Sequence, residues 1–269
     1  MTKQKWNRLF VQQISRLYYL TNHEFRLLHK QILIICLVEF VVSQVLFIVA
    51  LNPYNHDEKL LFAPFEQIVA QSGQSLLTLA SIGLALLIVG LGVHQQFTPG
   101  RSIYRLYHLE TSSGILYAAK LTAAATGLLL VLLTQMVSII SAWFLYYQST
   151  AANLMAGSLQ LAFLRSAYLL LLVPADAWHL AFQAILLFLV VALIISSVLE
   201  LHKPGKSAFA GLAITIAVVL VTAVSLRVAY GSLDELKPGL RLFLLLVMAV
   251  QSSLVVLRGR YLLAERAVC

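Results

Sequence analysis

Six long apolar runs separated by short polar connections constrain this chain more than any other feature: residues 31–51, 74–93, 114–147, 178–199, 208–230 and 240–257. As a helix, a run of roughly twenty residues crosses a hydrocarbon core of about 30 Å. Soluble domains are about half apolar and a quarter charged. Here 60% of residues are apolar, 11% are charged and the mean hydropathy is +0.87. The expected fold is therefore all-α, a polytopic membrane protein with six transmembrane helices. Its 269 residues leave no room for a separate soluble catalytic domain. Any ATPase or large sensor must come from another chain.

The first 30 residues are polar and basic. Trp6, Leu9, Phe10, Ile14, Leu17 and Tyr18 recur at offsets of three and four, with Lys3, Lys5, Arg8, Gln12, Gln13 and Arg16 on the other sides. This pattern predicts an amphipathic interfacial helix over 1–30, lying in the headgroup layer of an anionic leaflet. The alternative is a helix of the same character that binds a partner protein. The remaining chain, 31–269, is one six-span transmembrane domain.

Asn52-Pro53 predicts the end of the first span. In the second, Gly83, Gly90 and Gly92 offer close helix contact, and Ala119, Ala123 and Gly127 form a small-residue face on the third. The third run exceeds the hydrocarbon thickness and ends at Trp143, Tyr146 and Tyr147, side chains suited to the outer interface. Residues 148–177 hold a short apolar stretch, 159–173, with Arg165 inside it and Pro174 after it. An outer re-entrant or interfacial helical segment is expected there, with a seventh span as the rival.

The distribution of basic residues orients the chain. With six spans and the N-terminus inside, the cytoplasmic side holds Lys3, Lys5, Arg8, Arg16, Arg26, Lys30, Arg101, Arg105, Lys120, Lys203, Lys206, Arg258, Arg260 and Arg266, fourteen of the nineteen. The outer side holds Lys59, Arg165, Arg227, Lys237 and Arg241, with six of the eleven acids. Such asymmetry predicts a multi-pass cell-membrane protein with both termini cytoplasmic. The net charge of +8 belongs to these loops, so no nucleic acid partner is expected.

Catalytic patterns are missing. No pair of the seven His residues has the H-E-x-x-H spacing that aims two ligands and a base at one metal. Gly205-Lys206-Ser207 copies the end of a phosphate-binding loop, but Glu200 stands where its first glycine belongs. A G-x-S-x-G elbow is absent. Cys36 and Cys269 form no disulfide framework. The chain is read as a non-enzyme, with no catalytic residues, no metal ligands and no cofactor of its own.

Glu39 is the sharpest single residue, because an acid this deep in a span faces a cavity, a partner or a proton path by default. With Gln44 it is the candidate cargo or proton contact. The competing reading packs it against Gln44, or against Ser81 or Thr126 of other spans. Arg227 and Arg241, near Asp234 and Glu235, are assigned to snorkelling or local pairing, with a substrate contact as the rival.

The polar stretch Gln95 to Lys120 carries Arg101, Tyr104, Arg105, Leu106, Tyr107 and Leu109, then Thr111 to Ser113, then Ile115, Leu116 and Lys120. That order resembles the cytoplasmic coupling loop of the permease subunits of type 2 ABC exporters, where a basic and apolar helix precedes a Leu-Pro-hydroxyl element and a Gly-Lys opening the third span. Glu110 and Ala119 depart from the proline and glycine usual there. In architecture the likeness covers nearly the whole chain, and in motif about twenty-five residues.

The resemblance implies the transmembrane subunit of an ATP-driven exporter of peptides, drugs or lipid-linked molecules. It implies a coupling segment at 95–113, a separate ABC ATP-binding subunit carrying ATP and Mg, and a second permease copy, identical or related, in a dimer surrounded by membrane lipids. Tyr104, Leu106, Tyr107 and Leu109 would anchor in the ATPase, while Arg101 and Arg105 would pair with its acids. The same loop also suits a place on lipid headgroups. Rival functions are an ion-gradient-driven secondary carrier, with Glu39 as its coupling acid, and a non-transporting scaffold or immunity protein.

Overall fold

The structure is a computed structural model that describes residues 3–56, 64–96, 112–148, 159–172, 177–201 and 238–267. All regular structure in these residues is helical: α1 (Lys3–His56), α2 (Phe65–Gln71), α3 (Gln74–Gln96), α4 (Ser113–Tyr147), α5 (Leu159–Arg165), α6 (Ala167–Leu172), α7 (Ala177–Leu201) and α8 (Pro238–Ala267). Five of them, α1, α3, α4, α7 and α8, are long and apolar enough to cross a membrane. That is the character of a multi-pass membrane protein. The expected run at 208–230 lies outside the described residues.

Each long helix buries a narrow stripe and leaves the rest of its apolar surface outward. On α1 the buried positions are Leu20, Glu24, Leu28, Ile32, Cys36, Glu39, Ser43, Phe47, Leu51 and Tyr54, at offsets of three and four. Leu33, Leu37, Val41, Val45 and Val49 on the same helix are more than half exposed. In water such an apolar surface invites aggregation, whereas in lipid it matches the solvent.

Two boundaries differ from expectation. α1 runs unbroken through residue 30, since between Asn22 and Val49 it meets neither Gly nor Pro. It also continues past Pro53 to His56, because a proline near a helix end removes only one or two backbone bonds. Ile14 and Tyr18 are exposed, and the buried face begins at Leu20. The side chains of Trp6, Leu9 and Phe10 lie outside the described residues.

The chain divides into two compact units. The first comprises residues 1–30, 86–127 and 184–269. It gathers the beginning of α1, the end of α3, the beginning of α4, the end of α7, and α8. Gly90 approaches Ile194 and Val198, a Cβ on Gly92 would lie 2.8 Å from Leu28, and Ala119, Ala123 and Gly127 are all buried. Gly83, of the second unit, faces nothing within 4 Å, so it serves no close contact.

Within the first unit, Ser196 Oγ donates to the Val255 carbonyl at 3.4 Å, and Arg258 pairs with Glu200. The residue numbers rise together on both helices, so α7 and α8 run parallel.

The second unit comprises residues 31–85 and 128–183. Its core joins Phe47, Leu51 and Tyr54 of α1, Phe65 and Ile68 of α2, Ile139 and Tyr146 of α4, and Ala162 and Leu169 of α5 and α6. The Phe65 ring lies 5.7 Å from Phe47 and 5.6 Å from Tyr146. Tyr146, expected at the outer interface, is thus a core residue, while Trp143 stacks on Tyr147 at 5.5 Å. Gly73, at φ 75°, turns the chain between α2 and α3.

The apolar stretch at 159–173 forms two helices of seven and six residues. Ser166 separates them and caps α6 by accepting the Leu169 amide at 3.4 Å. Each is about 10 Å long and too short to cross a membrane. Arg165 meets Glu66 at 3.6 Å, joining two charges expected on the same side.

Candidate functional site

In the first unit a buried polar ring is built from α1, α3 and α4. Lys120 Nζ donates to Glu24 Oε1 at 2.7 Å, and Gln96 Nε2 donates to Glu24 Oε2 at 2.8 Å. Lys120 also donates to Gln96 Oε1, which closes the ring. The Lys120 and Glu24 side chains are 1% and 6% exposed. Both carboxylate oxygens and both ends of the amide are used, which is what lets an ion pair persist away from water. Leu27, Leu28, Val89, Val93, Ala123 and Ala124 wall a small recess beside it.

The ring brackets the expected coupling segment. Gln96 is the last residue of α3, and α4 begins at Ser113, two turns before Lys120. Ser112 caps α4 by accepting the Ile115 amide at 3.4 Å, which gives one member of the Thr111–Ser113 hydroxyl cluster a defined task. Arg101, Tyr104, Arg105, Leu106, Tyr107 and Leu109 themselves lie outside the described residues, as do Arg227 and the Arg241 side chain.

A second set of contacts ties the beginning of α4 to α7 and α8. Tyr117 is buried and shares a 3.3 Å hydrogen bond with Ser196. A Cβ at Gly259 would meet the Tyr117 ring at 2.4 Å, so only glycine admits that approach. The Arg260 guanidinium lies 3.1 Å from where a Cβ of Gly114 would stand.

In the second unit the polar residues of the spans converge. Glu39 is 1% exposed, and neither carboxylate oxygen has a hydrogen-bond partner among the described residues, although the Ser81 hydroxyl faces it. The Gln44 amide donates to the Ser138 carbonyl at 2.9 Å. Thr126, of the first unit, donates to the Thr122 carbonyl of its own helix. Around Tyr168, the Thr78 hydroxyl lies at 2.8 Å and the Gln135 amide donates at 2.7 Å. Gln74 Nε2 donates to the Ser43 carbonyl at 3.4 Å. Among the described residues no three His, Cys, Asp or Glu side chains come together.

Sequence reasoning missed Glu24 and Tyr168. Glu24 was findable, because it is the only acid before Glu39 and Lys120 opens an apolar run, so the two charges need each other. Tyr168 carried no such signal.

Compared with protein-family models, with curated proteins and with solved structures, the chain shows no match.

Proposed function

We propose that this chain is the transmembrane subunit of an ATP-driven ABC exporter of the type 2 class, acting on an amphipathic or apolar cargo with ATP hydrolysed on a separate subunit. The observation that carries the reading is the ring of Glu24, Gln96 and Lys120. It ties Gln96, at the start of the coupling segment, and Lys120, two turns into the helix that follows it, to α1, through hydrogen bonds buried from water. A push on the segment by a partner is then delivered to a transmembrane helix, where a loop resting on lipid needs no such brace.

The six-span count has support from helix direction. α7 and α8 are parallel and meet through their later turns. The start of α8 therefore lies about 25 Å back along its axis from Val255. The chain must return that distance between residues 201 and 238, and a span at 208–230 does so. Both termini are then cytoplasmic, and α5 and α6 form the outer re-entrant segment.

Alanine at Tyr104, Arg105, Leu106 and Leu109 together tests the coupling role. The variant is expected to reach the membrane and lose its ATPase subunit on purification. Undiminished co-purification would contradict the reading. A gradient-driven carrier is the second reading, favoured by the buried Glu39, and transport by this chain alone under an ion gradient would establish it.

A further inference from the structure

Several oxygens in the second unit's polar cluster are left without a hydrogen-bond partner. Thr78 Oγ1 donates to the Gln74 carbonyl at 2.9 Å, and Gln135 Nε2 donates to the Tyr168 hydroxyl at 2.7 Å. Tyr168 must then give its own proton to Thr78 Oγ1 at 2.8 Å, with the Gln74 carbonyl at 3.5 Å as a weaker acceptor. Gln74 Nε2 is spent on the Ser43 carbonyl, which can only accept, so the orientation of that amide is fixed. What remains without a partner is Glu39 Oε1 and Oε2, Ser43 Oγ, Gln74 Oε1 and Gln135 Oε1.

These oxygens come from α1, α3 and α4, on residues that are each no more than 1% exposed. Glu39 and Ser43 are one turn apart on the buried face of α1, and Gln74 is bonded to Ser43. Each buried acceptor left unmade costs about 1–3 kcal/mol, and an unpaired carboxylate in a span costs more. A proton on Glu39 and the Ser43 and Ser81 hydroxyls supply three donors, fewer than the five oxygens, and they bring no positive charge to a carboxylate. The other charged side chains described in this unit, Glu66 and Arg165, pair with each other. Nothing described there neutralises Glu39.

We propose that Glu39, Ser43, Gln74 and Gln135 form a binding site for one monovalent metal cation of the sodium or potassium class. Oxygen ligands suit such ions, and intramembrane sites for them are built from polar groups where helices meet. One carboxylate balances one positive charge, whereas a divalent ion would leave net charge in the hydrocarbon. Tyr168 is a positioning residue that holds the Gln135 amide with its oxygen free. The site does not depend on the ATP-driven reading, and each can fail alone.

Equilibrium binding of radioactive sodium and rubidium to the full-length chain in lipid nanodiscs tests the site, with choline as the inert cation. The expected result is saturable binding of one of the two isotopes at about one ion per chain, displaced by sodium or potassium chloride and not by choline chloride. Glu39→Gln abolishes it, and Gln135→Leu and Ser43→Ala each weaken it about tenfold. No saturable binding by folded wild-type chain overturns the proposal, as it would if Glu39 held only a proton. Full binding by Glu39→Gln also overturns it. Should Glu39→Gln not fold, unchanged affinity in both Gln135→Leu and Ser43→Ala does the same.

Discussion

Lys120 and Glu24 meet at 2.7 Å with both side chains almost wholly removed from solvent, the one two turns into α4 and the other in the first half of α1. Breaking a buried pair by removing one partner strands the other charge, at a cost of about 3–5 kcal/mol. Lys120→Met and Glu24→Gln are each expected to lower thermal stability of the purified chain by that order. The double variant should recover much of the loss, because no charge is left alone. Equal and additive losses in the four-way cycle would show that the two residues do not interact.

Arg165 and Glu66 provide the contrast. Their separation is 3.6 Å, but the Arg165 side chain is 64% exposed. Arg165→Ala should change stability by less than about 1 kcal/mol. The same unfolding assay reads both pairs.

Gly259 and Gly83 separate two kinds of glycine. Gly259→Ala forces the Tyr117 ring to move and should destabilise by about 1–3 kcal/mol, as overpacking does. Gly83→Ala meets nothing within 4 Å and should be neutral or gain up to about 1 kcal/mol through helix propensity. Melting temperatures of the two variants in one detergent decide it.

The parallel run of α7 and α8 makes a prediction about sidedness. In a chain with Cys36 and Cys269 replaced, Lys203→Cys should label only from the cytoplasm and Lys237→Cys only from outside. Labelling of both from one face would remove the span at 208–230.

Much of the helix plan was legible because lipid imposes one requirement on every span, a run of apolar residues long enough to cross. The starts of α3, α4 and α7 fall within one residue of the apolar runs that announce them. The continuity of α1 was not legible, since the change from polar to apolar composition at residue 30 marks a change of solvent and not a break in backbone. The depth of Glu39 was evident from its flanking residues. The identity of its neighbours was not, because which polar side chains of other helices come near it depends on packing between helices. Gln44 turns to the Ser138 carbonyl, while Gln74 and Gln135 stand with Tyr168. Gly83 and Gly90 look alike in sequence, and only their position relative to the buried stripe of α3 tells them apart.

The exporter reading meets its most direct test in ATP hydrolysis by the tagged chain purified from its native membrane in mild detergent. A vanadate-sensitive ATPase activity that co-elutes with the chain, and is lost from the variant with alanine at Tyr104, Arg105, Leu106 and Leu109, is the predicted result. A folded chain that elutes without any such activity, and that moves solute on an ion gradient alone, would contradict it.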